Sequence, residues 1–276
     1  MSPTDVFLGR WRARTAPALI SVHRGLWGPA PENSVQAILD GVSVGIVELD
    51  VQLASDGVPV VFHDDGLDRM TEAGGLLNSL DHRSLTGLEL RQADGGPDNA
   101  LSGQFVPDFQ SLLSRLPDSA FCDFDAKLEH EAEPIAAEIA RLGQQSKGSI
   151  KISTSCPADI ERLLALQNRY GLMVMAKVVL PKAGLDHMRA LVSAGVAAAE
   201  LWFDDLDQLA SACAIAGSDM AISTYTLDPV HCCGLSDAQA LVNPDRVWGR
   251  LIEAGVSVLM TDRPLALQSY LATKSV

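Results

Sequence analysis

Long hydrophobic runs are missing from this chain of 276 residues. A membrane-spanning helix needs roughly 18 consecutive apolar residues, and the longest apolar candidates, such as residues 172–180, carry Lys177 in the middle. We therefore expect no insertion into a membrane. Arg10, Arg12 and Arg14 lie near the N-terminus, but the apolar region of a signal peptide does not follow them, so the sequence does not predict export.

Basic residues and paired cysteines are also scarce. The chain has 21 Lys and Arg against 35 Asp and Glu, which gives a formal net charge of −14. Because phosphate-backbone affinity needs a concentrated basic surface, nucleic acid is not an expected partner. Five cysteines form an odd and mostly scattered set, which is no disulfide framework. The composition predicts a cytoplasmic location.

Strand and helix patterns alternate along the chain. Eight strands are predicted at residues 18–22, 46–51, 120–126, 149–154, 172–179, 197–203, 220–225 and 257–260. Helices are predicted between most of them, at residues 34–45, 133–142, 158–168, 185–194, 206–216 and 245–254. This order is typical of an α/β protein with a parallel sheet. Eight units at this length favour a single (β/α)8 TIM barrel over residues 1–276, with a doubly wound open sheet as the alternative.

The alternation is interrupted at about residues 56–119. An extra strand at residues 58–63 follows an Asp56-Gly57 turn, and a polar stretch containing glycine continues to residue 104. An insertion of this length after strand 2 predicts a small cap on the barrel.

Three acidic residues fall near the ends of predicted strands. Glu48 and Asp50 are two residues apart, so on a strand they share one face. Asp125 belongs to a second acidic strand, which also carries Asp123 and Lys127. Carboxylates at the carboxyl ends of barrel strands converge on the catalytic face, and buried together they need a cation. Glu48, Asp50 and Asp125 are therefore a candidate site for Mg²⁺ or Ca²⁺, although solvated strand-end charges remain the alternative for each acid taken singly.

Two histidines and two cations lie close to these acids in the sequence. His23 follows the first strand and His63 ends the extra strand, and imidazoles exchange protons near neutral pH. Arg24 and Lys127 add positive charge to an acidic chain, which indicates an anionic substrate group. Together these groups suit phosphoryl chemistry.

An ordered series of short motifs runs along almost the whole chain. The series is His23-Arg24-Gly25, Pro31-Glu32-Asn33-Ser34, Glu48-Leu49-Asp50-Val51, Ser55-Asp56-Gly57, Val60-Val61-Phe62-His63-Asp64, Arg69, Val106-Pro107-Asp108-Phe109, Asp125-Ala126-Lys127 and Thr261-Asp262-Arg263-Pro264. This series resembles the glycerophosphodiester phosphodiesterases. The resemblance implies a (β/α)8 barrel with an inserted cap that hydrolyses a small-molecule glycerophosphodiester to an alcohol and glycerol phosphate. It also implies His23 and His63 as the acid/base pair, Glu48, Asp50 and Asp125 as ligands of one divalent cation, and Arg24 and Lys127 as phosphate contacts.

The chain departs from the family at three positions. Asp125, Ser34 and Tyr225 stand where the family usually has Glu, Thr and Trp. Asp-x-Lys at residues 125–127 is similar to the related sphingomyelinase D-type phospholipases, which use a substrate hydroxyl as nucleophile and leave a cyclic phosphate. That reaction and the cleavage of a sugar phosphodiester are therefore alternatives. An alternative of another class is a barrel without catalysis that binds a phosphorylated small molecule or a partner protein.

Several further residues are candidates for the substrate pocket. Charged residues inside strands are uncommon unless they face a polar pocket, and aromatic residues stand beside them. The candidates are Lys151, Lys177, Glu200, Trp202 and Tyr225. For the charged residues the alternative interpretation is a layer of ion pairs inside the barrel.

Overall fold

The computed structural model describes residues 2–274, which form two compact units. The large unit comprises residues 2–22 and 149–274, and the small unit comprises residues 23–148. The strands of the described residues are β1 (Leu19–Val22), β2 (Ile46–Leu53), β3 (Pro59–Val61), β4 (Glu89–Arg91), β5 (Leu101–Phe105), β6 (Cys122–Ala126), β7 (Gly148–Ser153), β8 (Met173–Val179), β9 (Ala198–Trp202), β10 (Ala221–Tyr225) and β11 (Val258–Thr261).

One helix precedes the first strand, and the other helices lie between or after the strands along the chain. They are α1 (Pro3–Ala13), α2 (Val35–Gly41), α3 (His82–Leu85), α4 (Phe109–Arg115), α5 (Ala132–Arg141), α6 (Pro157–Tyr170), α7 (Leu180–Ser193), α8 (Leu206–Ala216), α9 (Asp237–Val242), α10 (Arg250–Glu253) and α11 (Pro264–Ala272). A π-helical turn, Asp245–Gly249, precedes α10. As far as the structure describes the chain, no helix has both the length and the apolarity that a bilayer crossing requires.

The large unit contains a parallel sheet. Its strands are hydrogen-bonded in the order β1, β11, β10, β9, β8 and β7. The β1–β11, β8–β9 and β9–β10 pairs are all parallel, as are β10–β11 and β7–β8. Parallel strands need crossover connections, and helices α6, α7 and α8 supply them in turn.

The small unit is built around β2. This strand pairs in parallel with β6 on one side and antiparallel with β3 on the other. Residues 46–52 are buried without interruption, so the polar side chains on the strand are held away from bulk solvent. A central strand that is buried on both faces gives its side chains fixed positions.

The insertion between β2 and α4 has a core of its own. It contains β3, α3 and an antiparallel hairpin of β4 and β5. Its buried apolar side chains form one cluster, whose members are Ala54, Val60, Phe62, Leu67, Met70, Leu77, Leu85, Leu90 and Val106. The insertion is therefore a packed cap.

Eight strands of the two units run parallel to their partners, six in the large unit and two in the small one. Each is followed by a helix, with the cap intervening after β2. This is the (β/α)8 barrel fold with an inserted cap that the sequence predicts. The eight predicted strands all form, with boundaries that differ by at most two residues.

Candidate active site

Three carboxylates converge in the small unit. Glu48 and Asp50 lie on β2, and Asp125 lies on β6 directly opposite Asp50 in the strand register. One oxygen from each side chain lies within 4.8 Å of the others. Glu48 and Asp50 are buried and Asp125 is half-buried. The structure thus brings together the three acids predicted from the sequence, and this all-oxygen set fits a hard divalent cation.

Asp50 is the most heavily contacted of the three acids. Its carboxylate lies 3.3 Å from Arg24 Nε and 3.3 Å from Lys127 Nζ. Burial by itself raises the pKa of this carboxyl, but the charges of Lys127 and Arg24 outweigh burial and hold the pKa well below its usual range. Both His63 and His23 act electrostatically in the same direction. Asp50 is therefore a carboxylate over the whole range of neutral pH.

Asn33 fixes the orientation of Asp50. Its Nδ2 donates to Asp50 Oδ2 at 2.7 Å, and the Asp50 backbone N–H donates to Asn33 Oδ1 at 3.1 Å. Asn33 has a left-handed backbone with φ of 56°, a conformation that asparagine tolerates better than most residues. This buried amide leaves the Asp50 carboxylate little freedom to turn.

Arg24 is bound to acids through both its backbone and its side chain. Its backbone N–H donates to Glu48 Oε2 at 3.1 Å, and its Nη1 lies 3.0 Å from each oxygen of Glu32. The guanidinium therefore stands between Glu32 and Asp50. This arrangement brings one predicted phosphate contact beside the acid cluster and fixes it there, since Glu32 is only 3% exposed.

His63 is paired with its neighbour in the chain. The His63 Nδ1 lies 2.5 Å from Asp64 Oδ1, and the ring is partly exposed. Burial raises the pKa of the Asp64 carboxyl, but the hydrogen bonds from His63 and Arg69 outweigh burial and hold the pKa well below its usual range. Since Nδ1 is engaged by an ionised acid, Nε2 is the His63 atom left for proton transfer.

Arg69 joins the His63 side of the site to the Arg24 side. Its Nε and Nη2 donate to the two oxygens of Asp64 at 2.6 and 2.9 Å, and Nη2 also donates to Glu32 Oε1 at 2.6 Å. A continuous series of side-chain contacts therefore runs from His63 through Asp64, Arg69 and Glu32 to Arg24. Networks of this kind restrict each member more than isolated pairs do.

Four of these residues lie outside the site predicted from the sequence. Glu32, Asn33, Asp64 and Arg69 belong to the recognised motifs, but their spacing alone indicates no contact with Arg24, Asp50 or His63. His23 is placed as expected, buried directly after β1. Its role and those of His63, Arg24 and Lys127 stay predictions.

The predicted pocket residues lie in the large unit. Lys151 Nζ is 3.0 Å from Glu200 Oε2, and both residues are buried. Lys177 is opposite Glu200 in the register of β8 and β9. Trp202 and Tyr225 end β9 and β10 and are half-buried. The Lys151–Glu200 contact is the ion pair that the sequence allowed, and substrate recognition by any of the five residues stays a prediction.

Curated relatives cover part of the chain. It is 31% identical over 107 residues to a glycerophosphodiester phosphodiesterase of Caldanaerobacter subterraneus, which is 37% of this chain and 42% of that protein. It is 41% identical over 88 residues to human glycerophosphodiester phosphodiesterase 1, which is 31% of this chain and 25% of that protein. The chain thus spans less than half the length of each of these two relatives.

Solved structures match over almost the entire chain. A glycerophosphoryl diester phosphodiesterase of Parabacteroides distasonis gives a TM-score of 0.77 at 18% identity, over 100% of this chain and 93% of that one. An Oleispira antarctica phosphodiesterase in complex with the product sn-glycerol-3-phosphate gives a TM-score of 0.66 at 20% identity. That match covers 92% of this chain and 96% of the Oleispira antarctica chain. At these identities the likeness shows the fold. A model of the glycerophosphoryl diester phosphodiesterase family matches residues 23–266, and the chain belongs to that family.

Proposed function

We propose that the chain is a phosphodiesterase that uses one divalent cation to hydrolyse glycerophosphodiester-type substrates to an alcohol and glycerol phosphate. The observation that carries this proposal is the convergence of Glu48, Asp50 and Asp125 within 4.8 Å, with Arg24 and Lys127 beside them. Family membership supports it, and so does the product named for the Oleispira antarctica structure.

Glu48, Asp50 and Asp125 would hold the cation, Mg²⁺ or Ca²⁺. Bound there, such an ion neutralises charge on the phosphoryl oxygens of the substrate. The three acids fit this role because they offer only oxygen atoms and because Asp50 stays ionised.

Arg24 and Lys127 contact the non-bridging oxygens of the substrate phosphate. Both lie 3.3 Å from Asp50, so their charges are held at the cluster. A phosphodiester carries one negative charge, and the transition state of its hydrolysis carries more charge on the non-bridging oxygens. Cations fixed in advance stabilise that state without a cost of reorganisation.

His23 and His63 move the protons. One takes a proton from the attacking water as its oxygen bonds to phosphorus, and the other gives a proton to the alkoxide as the bond from phosphorus to the leaving oxygen breaks. His63 acts through Nε2, because Asp64 occupies Nδ1.

The substrate is a small molecule. All five cysteines are free thiols, which fits a protein that acts in a reducing cytoplasm.

A second candidate is intramolecular transfer to a cyclic phosphate. Asp125 stands two residues before Lys127, as in the sphingomyelinase D-type enzymes, and the Lys127 Nζ reaches Asp50 Oδ1. In that reaction a substrate hydroxyl replaces water as the nucleophile.

Phosphorus NMR of the reaction with glycerophosphocholine tests both candidates. We expect a glycerol phosphate signal with Mg²⁺ or Ca²⁺ and none after chelation, whereas a cyclic phosphate signal would favour transfer. His23→Ala and His63→Ala should each lose roughly a hundredfold or more in turnover. Turnover that survives chelation, near-wild-type turnover of either variant, or a wild type that binds the diester without cleaving it would contradict the proposal.

A further inference from the structure

His63 lies just beyond the segment that the sheet holds in place. The antiparallel pairing of β2 with β3 includes Val51 opposite Val61 and ends there. One more backbone bond, from the Phe62 N–H to the Asp50 carbonyl at 3.0 Å, continues the ladder. The Phe62 and Asp64 carbonyls lie beyond this ladder, so they need other hydrogen-bond partners.

Gln52 supplies that partner. Its Nε2 donates to the Phe62 carbonyl at 2.9 Å and to the Asp64 carbonyl at 3.0 Å. These two carbonyls flank His63 in the chain, so a single amide group spans it. Gln52 is 4% exposed, and a buried primary amide has two N–H donors. Both are used on this segment.

The position of Gln52 on β2 links His63 to the acid cluster. Glu48, Asp50 and Gln52 alternate along one strand, so their side chains leave the same face. The same rigid strand thus carries two candidate cation ligands and the group that spans His63. Since β2 is buried through Gln52, its side chains have little room to move.

We propose that Gln52 is a positioning residue that sets the place of His63 relative to Glu48 and Asp50 by holding the carbonyls on either side of His63. Gln52 contacts the carbonyls of Phe62 and Asp64, the residues directly before and after His63, and touches no reacting atom. This inference rests on the proposed function, because it concerns the proton transfer assigned there to His63.

Gln52→Met tests the role, since methionine keeps the length and the apolar packing but has no donor. A displacement of about 1 Å in a catalytic group can cost about a hundredfold in rate. We expect kcat to fall about ten- to a hundredfold while KM changes less than about threefold, because substrate contacts are untouched. Gln52→Asn, which is one methylene shorter and reaches at most one carbonyl, should lose less kcat than Gln52→Met.

Lys147→Met is the matched control. Lys147 is buried in the same unit, and its Nζ donates to the Leu116 and Pro117 carbonyls at 3.0 and 2.8 Å. The substitution also removes a side chain that bonds two carbonyls, but at a segment remote in sequence from His63. It should lower the melting temperature and leave kcat within about twofold of the wild type.

NMR of histidine-labelled, metal-free protein gives a second readout that needs no turnover. The His63 ring signals, assigned by their loss in His63→Ala, should shift in Gln52→Met and stay in place in Lys147→Met. Unchanged His63 signals in a folded Gln52→Met or Gln52→Asn protein would overturn the inference, as would a kcat equal to that of the wild type.

The two proposals fail in different ways. An inactive wild type that holds metal contradicts the proposed function, and the NMR comparison then decides on Gln52 alone. An active wild type with an equally active Gln52→Met leaves the function standing and removes the role of Gln52. Equal losses of kcat in Gln52→Met and Lys147→Met would also overturn it, because the effect would then follow from stability.

Discussion

A single residue, Asp64, sets the orientation and the tautomer of His63. It accepts from His63 Nδ1 on one oxygen and from Arg69 on both. The imidazole therefore has a fixed tautomer and orientation as long as the acid stays ionised. The low pKa of Asp64 keeps it ionised throughout the neutral range.

We predict that Asp64→Asn loses activity without losing the fold. An amide has one acceptor oxygen, so its NH2 group has to face a donor of Arg69 or of His63. The His63 tautomer is then no longer fixed, and kcat should fall about a hundredfold with little change in KM. Steady-state kinetics on glycerophosphocholine measures both constants. A kcat within about twofold of the wild type would show that the pairing plays no part in turnover.

Glu32 neutralises two arginines, and we predict that the protein becomes less stable when this charge is removed. Glu32→Gln takes away the charge that holds Arg24 and Arg69, and we expect the free energy of unfolding to fall by about 1–3 kcal/mol. Glu138→Gln is the control, because Glu138 pairs with the exposed Arg141 at the surface, where solvent screens the charges and the loss should be much smaller. Denaturant titration compares them, and equal losses would contradict the buried network.

The residues of the site were predictable from the sequence to different degrees. Glu48, Asp50 and Asp125 follow from strand periodicity, since alternation and parallel register place them together. The contacts of Glu32 and Asn33 depend on left-handed backbone at Arg24 and Asn33, with φ of 54° and 56°. Residue spacing does not determine such loop conformations, so these contacts were missed.

Helices α3 and α4 are joined by one carboxylate, that of Asp108. Asp108 caps α4 by accepting from the Ser111 N–H at 2.6 Å, and it also lies 2.6 Å from His82 Nε2 on α3. Burial raises the pKa of Asp108, but the bonds from Ser111 and His82 outweigh burial and lower it. One carboxylate therefore starts a barrel helix and ties the cap to it.

We predict a pH-dependent cost for Asp108→Ala. A carboxyl whose pKa is lower in the folded state stabilises the protein above its unfolded pKa, and that stability is lost as the pH falls through the folded pKa. The variant should be less stable by about 1 kcal/mol at pH 7. Its deficit should shrink below roughly pH 4 as Asp108 protonates in the wild type. Thermal unfolding at several pH values measures this, and a deficit independent of pH would contradict it.

The strands and helices differ in how clearly the sequence predicts them. Strands β6 to β11 are short, mostly buried segments with apolar residues at regular positions, and the sequence predicts each of them. Strands β4 and β5 are largely half-exposed and carry no clean alternation, and they were missed. Helix α1 was also missed, although its capping box of Ser2 and Asp5 and the buried pair of Phe7 and Trp11, spaced i and i+4, are sequence signals.

At the scale of the whole molecule, the small unit carries most of the proposed chemistry. His23, Arg24, His63 and Lys127 lie in it together with the three candidate cation ligands. The chain has a formal net charge of −14, so an anionic substrate meets a repulsive surface. Local cations at the acid cluster, and an ion bound by it, make the site attractive for a phosphate against that background.

In the proposed reaction, Glu48, Asp50 and Asp125 hold one ion on which diester hydrolysis depends. Its most direct test is the rate of glycerophosphocholine hydrolysis by chelated protein as Mg²⁺ or Ca²⁺ is added back. We predict no rate without the ion, recovery in the wild type and in the surface variant Asp40→Asn, and a half-maximal concentration raised at least about tenfold in Asp125→Asn, because one anionic ligand is gone. Hydrolysis without added ion, or an Asp125→Asn titration that matches the wild type, would contradict the claim.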